Sequence, residues 1–317
     1  MTRKSFSRLA GTAHLNWRWL LLALVVGGAV LYPAMALTGV SPKVYEAFRL
    51  LAELTVFAAA AVMGYAAASR FGTGERGRLV WTLISIGAAL FFLADVGIYL
   101  PSAAGLWPGA NWTLLVAVAS ITLSRVLLVW ALSAMVAVYR NSGLGFRLLK
   151  RDYATMVIFG LLNLLTVFFG ANSVRYQLSG SGADLIHWVL VICLPLPLGL
   201  VLCSILAVMI WRYSQQMGGG LVAKAWRSVM LYLVLLPVRT VLVGVGAYVF
   251  ARGSHWAWVI GEVSYLGLAL AGWALNLGAS YQYQASTQAV ESETDHSTSH
   301  STKRSSRAEL KLGLGEN

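Results

Sequence analysis

The chain has 317 residues, of which 58% are hydrophobic and only 11% are charged. Ordinary soluble domains carry about 25% charged residues, so this composition excludes a water-soluble globule and predicts a membrane protein. The formal charge of +12 does not predict nucleic-acid binding, because that function needs a broad basic surface in water. Two cysteines in the whole chain exclude a disulfide scaffold and a thiolate metal cluster.

Eight apolar runs are long enough to cross a bilayer core of about 30 Å, which takes roughly 20 helical residues. The runs are continuous rather than alternating, so they predict helices and not barrel strands. We therefore predict an all-α, polytopic transmembrane bundle with eight spans in a membrane domain of residues 19–283. The spans are Trp19 to Thr38, Val44 to Ser69, Leu79 to Leu100, Trp112 to Tyr139, Tyr153 to Ala171, Leu185 to Trp211, Val229 to Ala251 and Trp256 to Ser280.

The positive residues divide unequally between the two sides of this predicted bundle. One side receives 18 of them, whereas the opposite loops hold only Lys43, Arg175 and Arg252. By the positive-inside rule the richer side is cytoplasmic, and with eight spans both termini face the cytoplasm. The 18 residues are Arg3, Lys4, Arg8, Arg18, Arg70, Arg76, Arg78, Arg140, Arg147, Lys150, Arg151, Arg212, Lys224, Arg227, Lys303, Arg304, Arg307 and Lys311.

The first span has a second interpretation. Its basic start, its apolar run and the triplet Ala34-Met35-Ala36 are also typical of a secretory signal with a cleavage site. Cleavage would leave seven helices and place the new N-terminus outside. Because the apolar run continues past Tyr32, we favour eight spans preceded by a basic cytoplasmic N-terminus, residues 1–18.

The composition changes abruptly after Ser280 to serine, threonine, glutamine and alternating charges. Such a segment has too little apolar surface to fold, so we predict that residues 284–317 form a disordered cytoplasmic tail. The loops between the spans are too short to hold a soluble enzymatic domain. Function is therefore expected within the bilayer, at the short loops, or through partners.

Six ionisable residues within the predicted spans form the candidate ligand-binding site, which we call the charged cluster. They are Arg49, Glu53, Asp95, Arg125, Arg239 and Glu262. A lone charge at the centre of a spanning helix costs about 2.5 to 3.5 kcal/mol, so these residues are expected to face the bundle and pair. Arg125 and Arg239 are predicted near mid-membrane and the other four nearer the outer surface. The cluster thus predicts a polar cavity open to the outer side, or else a salt-bridge network that only fixes packing.

Two arginines of the charged cluster have distinctive surroundings. Arg125 follows three hydroxyl residues within the preceding five positions, which makes it the best candidate for binding an anionic group. Arg239 follows Pro237, whose missing N–H loosens the seventh span beside the charge. Short outer loops make the third and fourth spans antiparallel neighbours, as they do the seventh and eighth. We therefore predict pairing of Asp95 with Arg125, or of Arg239 with Glu262.

The sequence contains no catalytic signature, since it lacks a Gly-x-Ser-x-Gly elbow, a His-Glu-x-x-His motif and a retinal-type lysine in the last span. This disfavours an enzyme. The sequence does not identify a cofactor, and no metal site is predicted. The favoured interpretation is a receptor-like, non-enzymatic membrane protein that recognises a small polar ligand or a partner through the charged cluster. The alternatives are a small secondary transporter that uses the same cluster and an accessory subunit of a larger membrane complex.

The surroundings of the chain follow from the same patterns. The lipid bilayer is the predicted partner, and the plasma membrane is the predicted location. Alanine and glycine recur along the second and eighth spans in the small-xxx-small manner that lets helices approach closely. These faces predict close packing, either within the bundle or against other membrane proteins.

Overall fold

The computed structural model describes residues 19–23, 25–27, 42–103, 111–141, 148–177, 195–216, 220–251 and 256–312. This part of the chain is 94% helix and has no strand, which confirms the all-α prediction for it. Seven long helices within it correspond to the second to eighth predicted spans. They are α1 (Pro42–Ala68), α2 (Arg76–Ala103), α3 (Asn111–Asn141), α4 (Lys150–Gln177), α5 (Pro195–Gln216), α6 (Leu221–Ala251) and α7 (Trp256–Leu312).

Five of these helices contain a segment long and apolar enough to cross a membrane. The segments are Leu50–Ala68, Arg76–Ala94, Val118–Asn141, Leu221–Gly246 and Val263–Ala289. Apolar side chains on the outer faces, such as Val62 and Tyr65 at 67% exposure, suit contact with lipid. The coarser prediction of a multi-pass membrane protein is therefore supported, whereas the count of eight spans stays a prediction.

The helices form a closed ring with one helix outside it. Around the ring α1 packs on α2, α2 on α3, α3 on α5, α5 on α6, α6 on α7, and α7 returns to α1. The fourth helix, α4, packs chiefly against α5 and α6 and exposes most of its described apolar side chains. The predicted neighbours α2 with α3 and α6 with α7 are confirmed.

Glycines set the close approach of α7 to the ring. Gly278 faces the start of α6, where a Cβ would lie 2.9 Å from the Ala225 carbonyl oxygen. Gly267 faces Arg239 further along α6, so the two helices run antiparallel. Small residues at such positions let helices pack at short distance. The structure thus uses the small-residue face of α7 inside the bundle.

The first helix, α1, runs parallel to α7. A Cβ on Gly272 would meet Val56 Cγ2 at 2.8 Å, so the helices touch at this level. Further toward the C-terminal side of both segments, the Arg70 guanidinium donates a hydrogen bond to the Tyr283 hydroxyl. It also lies over the Tyr283 ring, with Cζ 4.6 Å from the ring centroid. This parallel pairing closes the ring between elements more than 200 residues apart.

Positive side chains gather at one end of the bundle, where α1, α3 and α5 end and α2, α4 and α6 begin. We call this end the basic end. Its described basic residues are Arg70, Arg76, Arg78, Arg140, Lys150, Arg151, Arg212, Lys224 and Arg227. The positive-inside rule predicts that this end is cytoplasmic.

Asp152 lies in the first turn of α4, at the basic end, and is buried. Its Oδ2 accepts a hydrogen bond from the Leu149 backbone N–H at 2.7 Å, which caps the helix. The same oxygen lies 2.9 Å from Arg212 Nε on α5. One carboxylate therefore both starts α4 and ties it to the ring.

Several sequence predictions meet the structure at helix ends. Residues 19–23 and 25–27 of the first span are helical, and Leu21 and Val25 are buried in the main apolar core, whereas cleavage or retention of this span stays a prediction. The last helix, α7, continues past residue 283 to Leu312, through much of the predicted tail. That residues 284–317 are disordered in solution stays a prediction, resting on their composition.

Candidate functional site

Arg125 lies in the middle of α3 and is only 7% exposed. Its Cζ is 5.3 Å from the centroid of the Phe91 ring on α2. Phe91 in turn stacks on Phe57 of α1, with ring centroids 5.3 Å apart and an interplanar angle of 14°. Because an aromatic face attracts a cation, this stack partly replaces the water that a buried guanidinium loses. The structure thus holds one positive charge against an aromatic column that joins three helices.

A small polar void lies on another side of Arg125. Its volume is about 10 Å³, close to that of a single water site. Asn163 of α4 and Ser204 of α5 line it, and the Asn163 amide donates hydrogen bonds to the Ser204 hydroxyl and, at 2.8 Å, to the Phe159 carbonyl. Arg125 therefore lies between the Phe91 ring and a void, about the size of one water, that two polar side chains help to line.

Two more members of the charged cluster have described side chains. Glu53 on α1 is 2% exposed and lies one turn before Phe57. Arg239 on α6 is partly buried, and its buried Nε has no hydrogen-bond acceptor among the described residues. The Ser264 hydroxyl of α7 donates to the Arg239 carbonyl at 3.5 Å. The helix α6 is uninterrupted at Pro237, so the predicted loosening is not a break in the helix.

Helix register brings the backbone positions of the charged cluster to similar heights in the bundle. Position 53 is one turn before Phe57, and position 95 is one turn after Phe91. Since these two rings stack and α1 and α2 run antiparallel, positions 53 and 95 lie at one level. Arg239 lies beside Gly267, five residues before the point where α7 touches α1. Positions 49 and 262 lie about one turn further from the basic end. All six positions fall within about ten residues, or about 15 Å of helix.

The side chains of Arg49, Asp95 and Glu262 lie outside the described part of the structure. The pairings of Asp95 with Arg125 and of Arg239 with Glu262 therefore stay predictions. Their helices are neighbours, as these pairings require.

Sequence reasoning missed a larger cavity at the basic end, between α4, α5 and α6. Its volume is about 480 Å³, and it shares Phe159, Met230 and Val234 with the void at Arg125. The cavity predicted from the sequence would instead open at the opposite, outer end of the bundle. A signal for the observed one was present in Asp152, which follows two basic residues and has a cationic partner, Arg212, in the next helix.

Comparison with known proteins identifies no relative of the chain: no family model, no curated protein and no solved structure matches it. The apolar helices support a multi-pass membrane protein. Any finer function must be argued from the buried charges and cavities themselves.

Asn276 on α7 is 1% exposed, and neither its amide nitrogen nor its amide oxygen has a hydrogen-bond partner within the described part of the chain. A buried polar group without a partner costs about 1 to 3 kcal/mol. We expect Asn276→Leu, which keeps the side-chain volume similar, to raise the free energy of unfolding by about 1 kcal/mol. Thermal unfolding of the purified protein in detergent measures this, with Asn163→Leu as the hydrogen-bonded control that should lose stability. A lower melting temperature for Asn276→Leu would show that the amide has a partner.

Proposed function

We propose that this chain is a non-enzymatic, receptor-like membrane protein that binds a small polar or anionic ligand within the charged cluster. The observation that carries the proposal is the burial of Arg125 between the Phe91 ring and a water-sized void that Asn163 and Ser204 help to line. A guanidinium presents five donors in a planar fork that matches carboxylate and phosphate groups. A ligand with such a group would bring the acceptors that a buried guanidinium needs.

Arg239, which lies on α6 beside Gly267 of α7, supports the same proposal. Its buried Nε has no acceptor among the side chains that the structure describes, and the register of α6 and α7 brings it to the level of Glu53. Alternating positive and negative positions within about 15 Å suit a zwitterion or a small anion with polar substituents.

Substitution of Arg239 separates its charge from its hydrogen-bonding shape. Arg239→Lys keeps the charge but loses the planar fork, so we expect normal folding and roughly tenfold weaker ligand binding. Arg239→Leu should lose both binding and stability. The measurement is a thermal-shift screen of wild type with amino acids, small carboxylates and phosphates, followed by titration of the best ligand into both variants.

The matched control is Arg140→Lys, an exposed arginine at the basic end of α3. It should leave binding and melting temperature unchanged. Full binding by a well-folded Arg239→Leu variant would assign the charge at this position to packing alone.

We also propose that the basic end faces the cytoplasm of the plasma membrane and that both termini lie on that side. The unequal division of positive residues, 18 against 3, supports this orientation. Cysteines introduced as Ser142→Cys and Ser299→Cys are expected to resist an impermeant thiol reagent on intact cells and to react after lysis. Labelling of either position on intact cells would contradict the orientation.

A second candidate function is secondary transport through the same charged cluster. The observation in its favour is that the void at Arg125 and the larger cavity at the basic end share three wall residues, Phe159, Met230 and Val234, whose movement would join them. Uptake of the best ligand into proteoliposomes tests this candidate. Binding without uptake supports the receptor-like role.

A further inference from the structure

The larger cavity at the basic end has a composition that the charged cluster does not explain. Its volume of about 480 Å³ lies within the range of small-molecule sites, about 300 to 1,000 Å³. Its inner walls are apolar and include Val208, Leu231 and Val234. Arg151 of α4 and Arg227 of α6 line the same space. The cavity therefore combines an apolar interior with two guanidinium groups.

The net charge of the cavity is positive. Asp152 also lines it, but its carboxylate is balanced by Arg212 Nε at 2.9 Å. Arg227 is held over the ring of Trp211, with Cζ 5.9 Å from the ring centroid, and Trp211 is itself part of the wall. Such a contact orients the guanidinium and leaves the N–H groups, which lie in the plane of the guanidinium itself, free to donate hydrogen bonds. Arg151 and Arg227 thus offer two cations to an anionic group.

The cavity is bounded on one side by the outermost helix. The helix α4 packs chiefly against α5 and α6, and its exposed apolar residues include Val157 and Ile158 at more than 60%. Leu231 of α6 lines the cavity and is itself 43% exposed, within the apolar segment Leu221–Gly246. The cavity therefore meets the bilayer sideways as well as the water at the basic end. An occupant with a charged head and apolar chains fits both openings.

We propose that this cavity binds an anionic phospholipid of the leaflet at the basic end. The phosphate lies against Arg151 and Arg227, and an acyl chain follows the apolar wall between α4 and α6. Basic pockets between spanning helices at the cytoplasmic side recognise anionic head groups by this combination of charge and apolar depth. Charge complementarity and the sideways opening select a lipid over a soluble phosphate, which would leave the apolar wall uncovered.

Native mass spectrometry of the full chain in detergent tests the proposal, with phosphatidylglycerol and phosphatidylcholine of identical chains as probes. Wild type is expected to bind phosphatidylglycerol at least about tenfold more tightly, since hydrogen bonds to charged groups carry that much discrimination. The double variant Arg151→Gln/Arg227→Gln should lose this preference. The control Arg76→Gln/Arg140→Gln removes the same charge from the basic end outside the cavity and should keep it. Equal binding of both lipids by wild type, or an unchanged preference in the double variant, would overturn the proposal.

Fluorescence locates the lipid without removing any charge. Dibrominated phosphatidylglycerol is expected to quench the fluorescence of Trp211 more strongly than dibrominated phosphatidylcholine does. In the Trp211→Phe variant this difference in quenching between the two lipids should disappear. Trp130 is 55% exposed on α3 and is the matched control, because brominated chains of either lipid should quench it equally. Equal quenching of Trp211 by both lipids would contradict the site.

A soluble ligand is excluded or revealed by competition. Glycerol 3-phosphate carries the same phosphate without the acyl chains and is expected not to displace phosphatidylglycerol at equal concentration. Displacement would replace the lipid with a soluble phosphate as the occupant and overturn the proposal.

This inference is independent of ligand binding at Arg125, because the two sets of variants share no residue. Lipid in the cavity would close the route from the basic end, which favours binding over transport at the charged cluster.

Discussion

Arg125→Leu is expected to lower the free energy of unfolding by about 3 to 5 kcal/mol, because removing one member of a buried pair leaves the other charge uncompensated. The partner we predict is Asp95, one helical turn beyond the Phe91 ring that Arg125 contacts. The substitution also removes the cation from the aromatic column through Phe91 and Phe57. Thermal unfolding in detergent and the yield of monodisperse protein measure the loss.

The second substitution Asp95→Leu, made on top of Arg125→Leu, is expected to restore much of that stability. Buried pairs replaced as a unit by apolar residues are often neutral or even stabilising. Arg140→Leu, at the exposed end of the same helix, serves as the control and should change stability by less than about 0.5 kcal/mol. Equal losses in Arg125→Leu and the double variant would show that Asp95 is not the partner.

Gly278→Val is expected to lower the free energy of unfolding by about 3 kcal/mol by forcing α6 and α7 apart. A Cβ at this position would lie 2.9 Å from the Ala225 carbonyl oxygen and 3.2 Å from Val229 Cγ2. The first of these atoms belongs to the helix backbone and cannot turn away as a side chain can. Overpacking against an immobile neighbour costs about 1 to 3 kcal/mol, and more when the backbone must shift.

Gly160→Val on α4 is the matched control for this prediction. A Cβ there would meet nothing within 4 Å, so the substitution should be tolerated within about 0.5 kcal/mol. Thermal unfolding in detergent compares the melting temperatures of the two variants directly. Similar melting temperatures for both would show that α6 and α7 are not held at the distance the structure gives them.

Both predictions depend on contacts that the sequence indicated only in part. The run of small residues in the last span predicted close packing there, and the loops predicted α2 with α3 and α6 with α7 as neighbours. The choice of Ala225 as the neighbour of Gly278 could not be predicted. Lipid and the bundle interior are similarly apolar, so hydropathy does not say which face of a spanning helix turns inward.

The charged cluster shows the same division. Its six members stand out in the sequence because ionisable residues are rare within apolar runs, and the cost of burying them predicts that they turn toward the bundle. Their common level depends on contacts between distant parts of the chain, such as Gly272 of α7 against Val56 of α1. Such contacts cannot be predicted from the neighbouring sequence, since a glycine indicates only that a small residue is present and not which distant residue it contacts.

The sequence by itself determined the class of this protein, because composition and the length of apolar runs are properties of the chain alone. It also determined which ends carry the positive charge and which residues are costly to bury. The tertiary structure decided that α7 returns to pack parallel to α1, that α4 stands outside the ring, and that the cavity between α4, α5 and α6 lies at the basic end. These features follow from side-chain fit between helices far apart in sequence, which is a property of pairs of surfaces and not of any one segment.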